Sequence, residues 1–61
     1  MEIKLSGVDE FGTYFEISGE VTDLSELAYM FRQFAVASGF TYVSDVAMEK
    51  SNGEVVWSDE Y

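Results

Sequence analysis

Neither cysteine nor histidine occurs anywhere in the 61 residues, so a domain near the lower size limit for independent folding must hold its core without a disulfide or a thiolate or imidazole metal site. The same absence removes the Cys and His machinery of nucleophilic and general-base catalysis. Apolar burial has to suffice, or a second copy has to share it. Hydrophobic residues make up 48% of the chain and aromatics 16%, more than acidic disordered tails carry, so residues 1–61 are expected to fold as a single domain. The longest apolar runs span only a few residues, short of the ~20 needed to cross a bilayer. Met1-Glu2-Ile3-Lys4 begins no signal-peptide pattern, which makes a cytoplasmic location the default expectation.

Proline is also absent, and glycines at 7, 12, 19, 39 and 53 supply the punctuation. Met1, Ile3 and Leu5 alternate with Glu2, Lys4 and Ser6, the period of a strand with one face covered. Gly7-Val8-Asp9-Glu10 reads as a turn. Phe11, Thr13, Phe15 and Ile17 then share one side and Tyr14 and Glu16 the other, predicting a hairpin over 1–18 with the Phe-rich face inward. A helix is predicted over 23–38. Asp23 stands ready to cap the first amides, with Glu26 three residues on to return the bond, and Gly39 suits the left-handed position past the last turn. Leu24, Leu27, Ala28, Phe31, Phe34, Ala35 and Ser38 form its core stripe.

From Phe40 to Glu49 the chain again alternates, and Asn52-Gly53 is the dipeptide favoured in two-residue hairpin turns, which predicts a second hairpin over 40–58. With that turn, Met48 faces Trp57 and Lys50 faces Val55. Asp59-Glu60-Tyr61 reads as a short, frayed acidic tail. The order ββαββ predicts an α+β domain, a four-stranded, largely antiparallel sheet with one helix packed on one face.

Twelve acidic residues oppose three basic ones, Lys4, Arg32 and Lys50, for a formal charge of −9. The field is negative nearly everywhere, which disfavours direct contact with nucleic acid or anionic membrane and favours a basic partner. No enzymatic activity, cofactor or metal site is expected: the carboxylates form no paired acid and base in a cleft, and the calcium-loop spacing is missing. Strand alternation instead turns Glu2, Glu16, Asp45, Glu49 and Glu54 outward together with Tyr14, a candidate acidic face for a basic protein. On the helix, Tyr29, Met30, Gln33, Val36 and Ala37 lie off the core stripe. That second face is too apolar for water and is the candidate surface for a homodimer or partner, unless the helix sits deeper, wrapped by the long strands.

The segment Phe31-Arg32-Gln33-Phe34-Ala35-Val36-Ala37-Ser38-Gly39-Phe40, about a sixth of the chain, resembles small acidic phage-encoded proteins of unassigned function. The resemblance implies a phage source, a host-cytoplasm location and a role against host nucleic-acid-binding proteins, and it carries no site residue across. The expected function is an acidic interaction module, with a nucleic-acid-mimicking inhibitor of a basic host protein as its sharper form. The alternative is a phage structural or assembly protein that works through homo-oligomerisation and uses charge only for solubility. A salt-adapted domain is a third reading, opposed by the many large apolar residues.

Overall fold

The computed structural model describes residues 1–61. Two strands, β1 (Glu2–Val8) and β2 (Tyr14–Glu20), lead into the helix α1 (Leu24–Ala37). Two short strands follow, β3 (Ala47–Glu49) and β4 (Val55–Trp57), and a 3-10 turn over Ser58–Glu60 closes the chain. The class is α+β and the order ββαββ, but the four strands do not join into the single sheet expected. β1 pairs only with β2 and β3 only with β4, giving two separate antiparallel hairpins.

The first hairpin follows the alternation closely. Its register runs from Glu2↔Glu20 to Val8↔Tyr14, with Leu5 opposite Ile17 at the centre of the inward face. The turn, however, lies later than Gly7. Asp9 Oδ1 accepts hydrogen bonds from the amides of Phe11 and Thr13, each at 2.9 Å, and Gly12 adopts φ +83°. Phe11 consequently stands in the turn and leaves the core face it was expected to share. Gly7 and Gly19 lie within the strands as packing positions: a Cβ at Gly7 would come 2.8 Å from the Phe15 ring, and one at Gly19 would come 3.1 Å from Met30 Cε.

The helix begins and ends where the caps predict. Asp23 Oδ1 accepts from the Glu26 amide at 2.9 Å. Glu26 returns a bond not to Asp23 but one residue earlier, accepting from the Thr22 amide at 2.8 Å and the Thr22 hydroxyl at 3.0 Å. At the other end Phe40 N donates to Ala35 O and Gly39 N to Val36 O, with Gly39 at φ +110°, the paired bonds of a Schellman stop.

Both hairpins pack on this helix. Phe15 of β2 meets Phe34 at 5.4 Å between ring centroids, beside the contact of Met30 with Gly19. On the other side Tyr29 stacks against Tyr61 at 5.0 Å, and Arg32 Nε donates to Ser44 O at 2.6 Å. With about 100° of rotation per residue, the pair Met30 and Phe34 points roughly 150° away from the pair Tyr29 and Arg32. The helix is therefore wrapped from two sides.

Segment 40–46 is turn and irregular chain, not the strand its alternation suggests. Val43 N donates back to Phe40 O, and the Arg32 bond draws Ser44 toward the helix. The short strands that follow pair one residue out of the expected register, with Met48 opposite Val56 and Ala47 opposite Trp57. The turn explains the slip. Three residues, Ser51-Asn52-Gly53, sit between a Lys50–Glu54 closing bond of 2.7 Å, and Gly53 holds φ +92°. Shifting a register by one residue exchanges faces. Met48 and Val56 turn inward, while Val55 and Trp57 face outward.

The tail is ordered by packing, contrary to the fraying expected of it. Ser58 is 1% exposed; its amide donates to Val46 O at 2.8 Å, its Oγ accepts from Val46 N at 3.0 Å, and its hydroxyl donates to Asp45 Oδ1 at 3.1 Å. Only Val21, Ala28, Met30 and Ser58 are buried among the 61 residues, so the protein holds a thin core and shows much apolar surface.

Candidate interaction surface

Alternation along β1 and β2 sends Glu2, Lys4, Ser6 and Val8 outward beside Tyr14, Glu16, Ser18 and Glu20. The cross-strand partners on this open face are Glu2↔Glu20, Lys4↔Ser18, Ser6↔Glu16 and Val8↔Tyr14. Two carboxylates directly opposite each other work against sheet stability, and here the Met1 ammonium, 2.9 Å from Glu20 Oε1, offsets part of that repulsion. Tyr14 donates its hydroxyl to Glu16 Oε1 at 2.5 Å, and this bond, more than the burial around the ring, raises the Tyr14 pKa.

Cations do little to offset the face. Arg32 is spent on the Ser44 carbonyl, and Lys50 lies 3.8 Å from Glu54. Lys4 is the one cationic side chain among the outward residues of the first hairpin, and the Met1 ammonium lies 2.9 Å from Glu20 Oε1.

Of the acidic set expected from the sequence, the structure gathers Glu2, Glu16 and Tyr14 on one sheet face. Asp45, Glu49 and Glu54 belong to the second hairpin and its approach. Asp45 accepts from Ser58, Glu49 lies on β3, and Glu54 accepts from Asn52 Nδ2 at 3.0 Å. Because the hairpins are separate sheets, these residues do not extend the first array. Glu20 does, and its place opposite Glu2 follows from β2 running two residues past the expected end.

The proposed self-association face on the helix is not a free apolar surface. Met30 is 7% exposed and packs over Gly19, Tyr29 is half-buried beneath Tyr61, and Val36 is half-buried. Gln33 and Ala37 alone of that set are exposed. The apolarity of that side is consumed inside the protein by the wrapping of the helix.

Exposed aromatics appear elsewhere. Phe11 is 87% exposed at the first turn, next to the outward Val8↔Tyr14 pair. Phe40 and Tyr42 pack edge to face at 6.2 Å in the loop after the helix. The signal that would have located Phe11 is Asp9-x-x-Gly12, an aspartate able to hold a turn and a glycine able to take positive φ.

Three hollows mark the surface, two of about 260 Å³ and one of about 180 Å³. One of the larger two, between helix and second hairpin, is lined by Tyr29, Arg32, Ser44, Asp45, Ser58 and Asp59. Of its two serines, Ser58 is held between the Val46 amide and the Asp45 carboxylate, and Ser44 accepts from Arg32 through its carbonyl. The other is an apolar groove with Ile3, Val21, Leu24 and Leu27 in its lining. No three carboxylates converge as a metal site would require, and no helix is long and apolar enough to cross a membrane. No protein-family model, curated protein or solved structure matches this chain.

Proposed function

We propose that this protein is a small acidic interaction module that binds a basic surface on another protein through the outer face of its first hairpin. The observation that carries the reading is the concentration of Glu2, Glu16 and Glu20 with Tyr14 on one open sheet face, where Lys4 is the one cationic side chain and the Met1 ammonium pairs with Glu20. Opposed carboxylates are costly for the fold, and they speed encounter with a positive partner and reject negative ones. In its sharper form the face competes with nucleic acid for a basic groove. A phage source would place that groove on a host protein, in the host cytoplasm, and would make the module an inhibitor.

The test is displacement of duplex DNA from an immobilised basic DNA-binding protein at low salt. The wild-type chain is expected to displace it, with strong salt dependence, and the triple variant Glu2→Gln, Glu16→Gln, Glu20→Gln to lose about tenfold or more in potency. No displacement by the wild type from any of several basic proteins sinks the mimic form. No binding to them at all sinks the wider reading.

A second reading, assembly through homo-oligomerisation, is favoured by the thin core: four residues are buried while ten large hydrophobic side chains remain exposed. Sedimentation across a concentration series separates the two, since the acidic-face reading requires no increase in mass.

A further inference from the structure

We infer that the turn of the first hairpin is an anchor, with Phe11 as the side chain that enters an apolar socket whose rim is lined by lysine or arginine on the partner. This rests on the basic-partner reading above and adds the contact that would give it specificity.

Three observations converge on Phe11. It is the most exposed of the large hydrophobic side chains, at 87%, and Val8 and Tyr14 beside it are 64% and 60% exposed. All three lie at the turn end of the first hairpin, where Val8 and Tyr14 are paired on the exposed face that carries Glu2, Glu16 and Glu20. Phe11 also stacks on no other ring, whereas the exposed Phe40 and Tyr42 at least pack on each other.

The turn beneath it is built, not loose. One oxygen, Asp9 Oδ1, accepts from both the Phe11 and Thr13 amides, Gly12 N donates to Asp9 O at 3.0 Å, and Asp9 N donates to Thr13 O at 3.1 Å. Four hydrogen bonds across five residues hold the Phe11 backbone in place before any partner arrives. Little conformational freedom remains to be lost on binding, which is the condition under which an exposed aromatic yields affinity.

The surroundings state the chemistry of the occupant. Asp9 and Glu10 share the turn with Phe11, Glu16 accepts from the Tyr14 hydroxyl beside it, and no lysine or arginine lies on the turn. A purely apolar socket would desolvate those carboxylates without return, whereas a socket rimmed by cations pairs with them. An anionic bilayer, which would also accept an exposed aromatic, is repelled by the same carboxylates.

The experiment uses two helical peptides of equal charge, one with a leucine stripe flanked by lysines and one with the leucines replaced by glutamine, each labelled and titrated with the full chain by fluorescence anisotropy. The expected result is binding of the Lys/Leu peptide about tenfold tighter than the Lys/Gln peptide, a preference that Phe11→Ala abolishes and that Phe11→Leu partly retains. Amide spectra of both variants should match the wild type, because the side chain supports nothing else in the fold. Glu10→Gln with Glu16→Gln should weaken both peptides and flatten the salt dependence. Equal affinity for the two peptides, or a Phe11→Ala variant that keeps the preference, overturns the anchor and leaves the acidic-face reading standing. Failure to bind either peptide at low salt overturns both. Phe11-dependent binding to phosphatidylcholine vesicles without peptide binding makes the occupant a lipid surface and also overturns the proposal.

Discussion

The two hairpins of this protein obey the same rules and reach different kinds of order. Each is antiparallel, each turns at a glycine of positive φ, Gly12 or Gly53, and each packs on the single helix. The first pairs seven residues on each strand and alternates strictly between exposed and covered positions; the second pairs only three. In the first, packing on the helix and the turn agree. In the second, the ladder is so short that the three-residue turn decides the register, and the aromatic residue of β4 ends up outside. Long strands let side-chain burial choose the pairing, while short ones leave it to the loop.

The difference is broken most severely at the glycine of β1. Gly7→Ala forces a methyl group within 2.8 Å of the Phe15 ring, which is itself held against Phe34, so the ring or the strand must shift. Overpacking of this kind costs about 1–3 kcal/mol, a large share of the stability of so small a domain. Gly19→Ala meets only the mobile end of Met30 at 3.1 Å and should cost clearly less. Urea unfolding of the two variants checks the ordering. Equal losses would mean that the glycines serve backbone freedom and not ring packing.

Those same glycines show what could and could not be read in advance. The helix was legible to within its caps because Asp23, Glu26 and Gly39 each act within a few residues of where they stand. The outward placement of Glu2 and Glu16 was legible too, since strand alternation depends only on sequence spacing, whereas Glu20 lay past the expected strand end at 18. Gly7 and Gly19 were misread as breaks because a missing side chain signals equally a turn or room for a neighbour, and that neighbour, Phe15 or Met30, is supplied by the tertiary fold. Asn52-Gly53 suits a two-residue turn and a longer one alike. Tyr29 and Met30 looked like an interface for a related reason: a helix covered from two sides and a helix awaiting a partner have the same pattern.

A smaller effect, confined to the second hairpin, is expected from Ser58→Ala. The hydroxyl accepts from Val46 N and donates to Asp45, and it supplies what the three-residue ladder lacks in length. Removing it leaves the Val46 amide without that acceptor in a partly buried position, at a cost of about 1–2 kcal/mol. Amide exchange should quicken over Ala47–Glu49 and Val55–Trp57 while β1 and β2 keep their protection. Uniform acceleration across both hairpins would show that they unfold as one unit and that the contrast between them has no energetic content.

The smallest expected effects come from pH, and they separate the two sides of the helix. Glu26 is held below its ordinary value by the Thr22 amide and then the Thr22 hydroxyl, and Asp23 by the Glu26 amide and then Ser25. A depressed carboxyl pKa stabilises the fold above the ordinary values of 4.5 and 3.8, and that contribution disappears as pH falls through the lower folded values. Tyr61 behaves oppositely. Hydrogen bonding to Glu26 raises its pKa, so its contribution is complete below the ordinary value of 10.0 and is lost as pH rises through the folded one. Acid should therefore fray the helix start, whereas alkali should release the tail from Tyr29 and loosen the second hairpin first. Exchange rates at Leu24–Leu27 and at Val55–Trp57, followed across pH, test both arms. Tyr61→Phe should remove the alkaline loosening of β4 specifically, and if that loosening persists, repulsion among the carboxylates, not the Tyr61–Glu26 contact, governs the second hairpin.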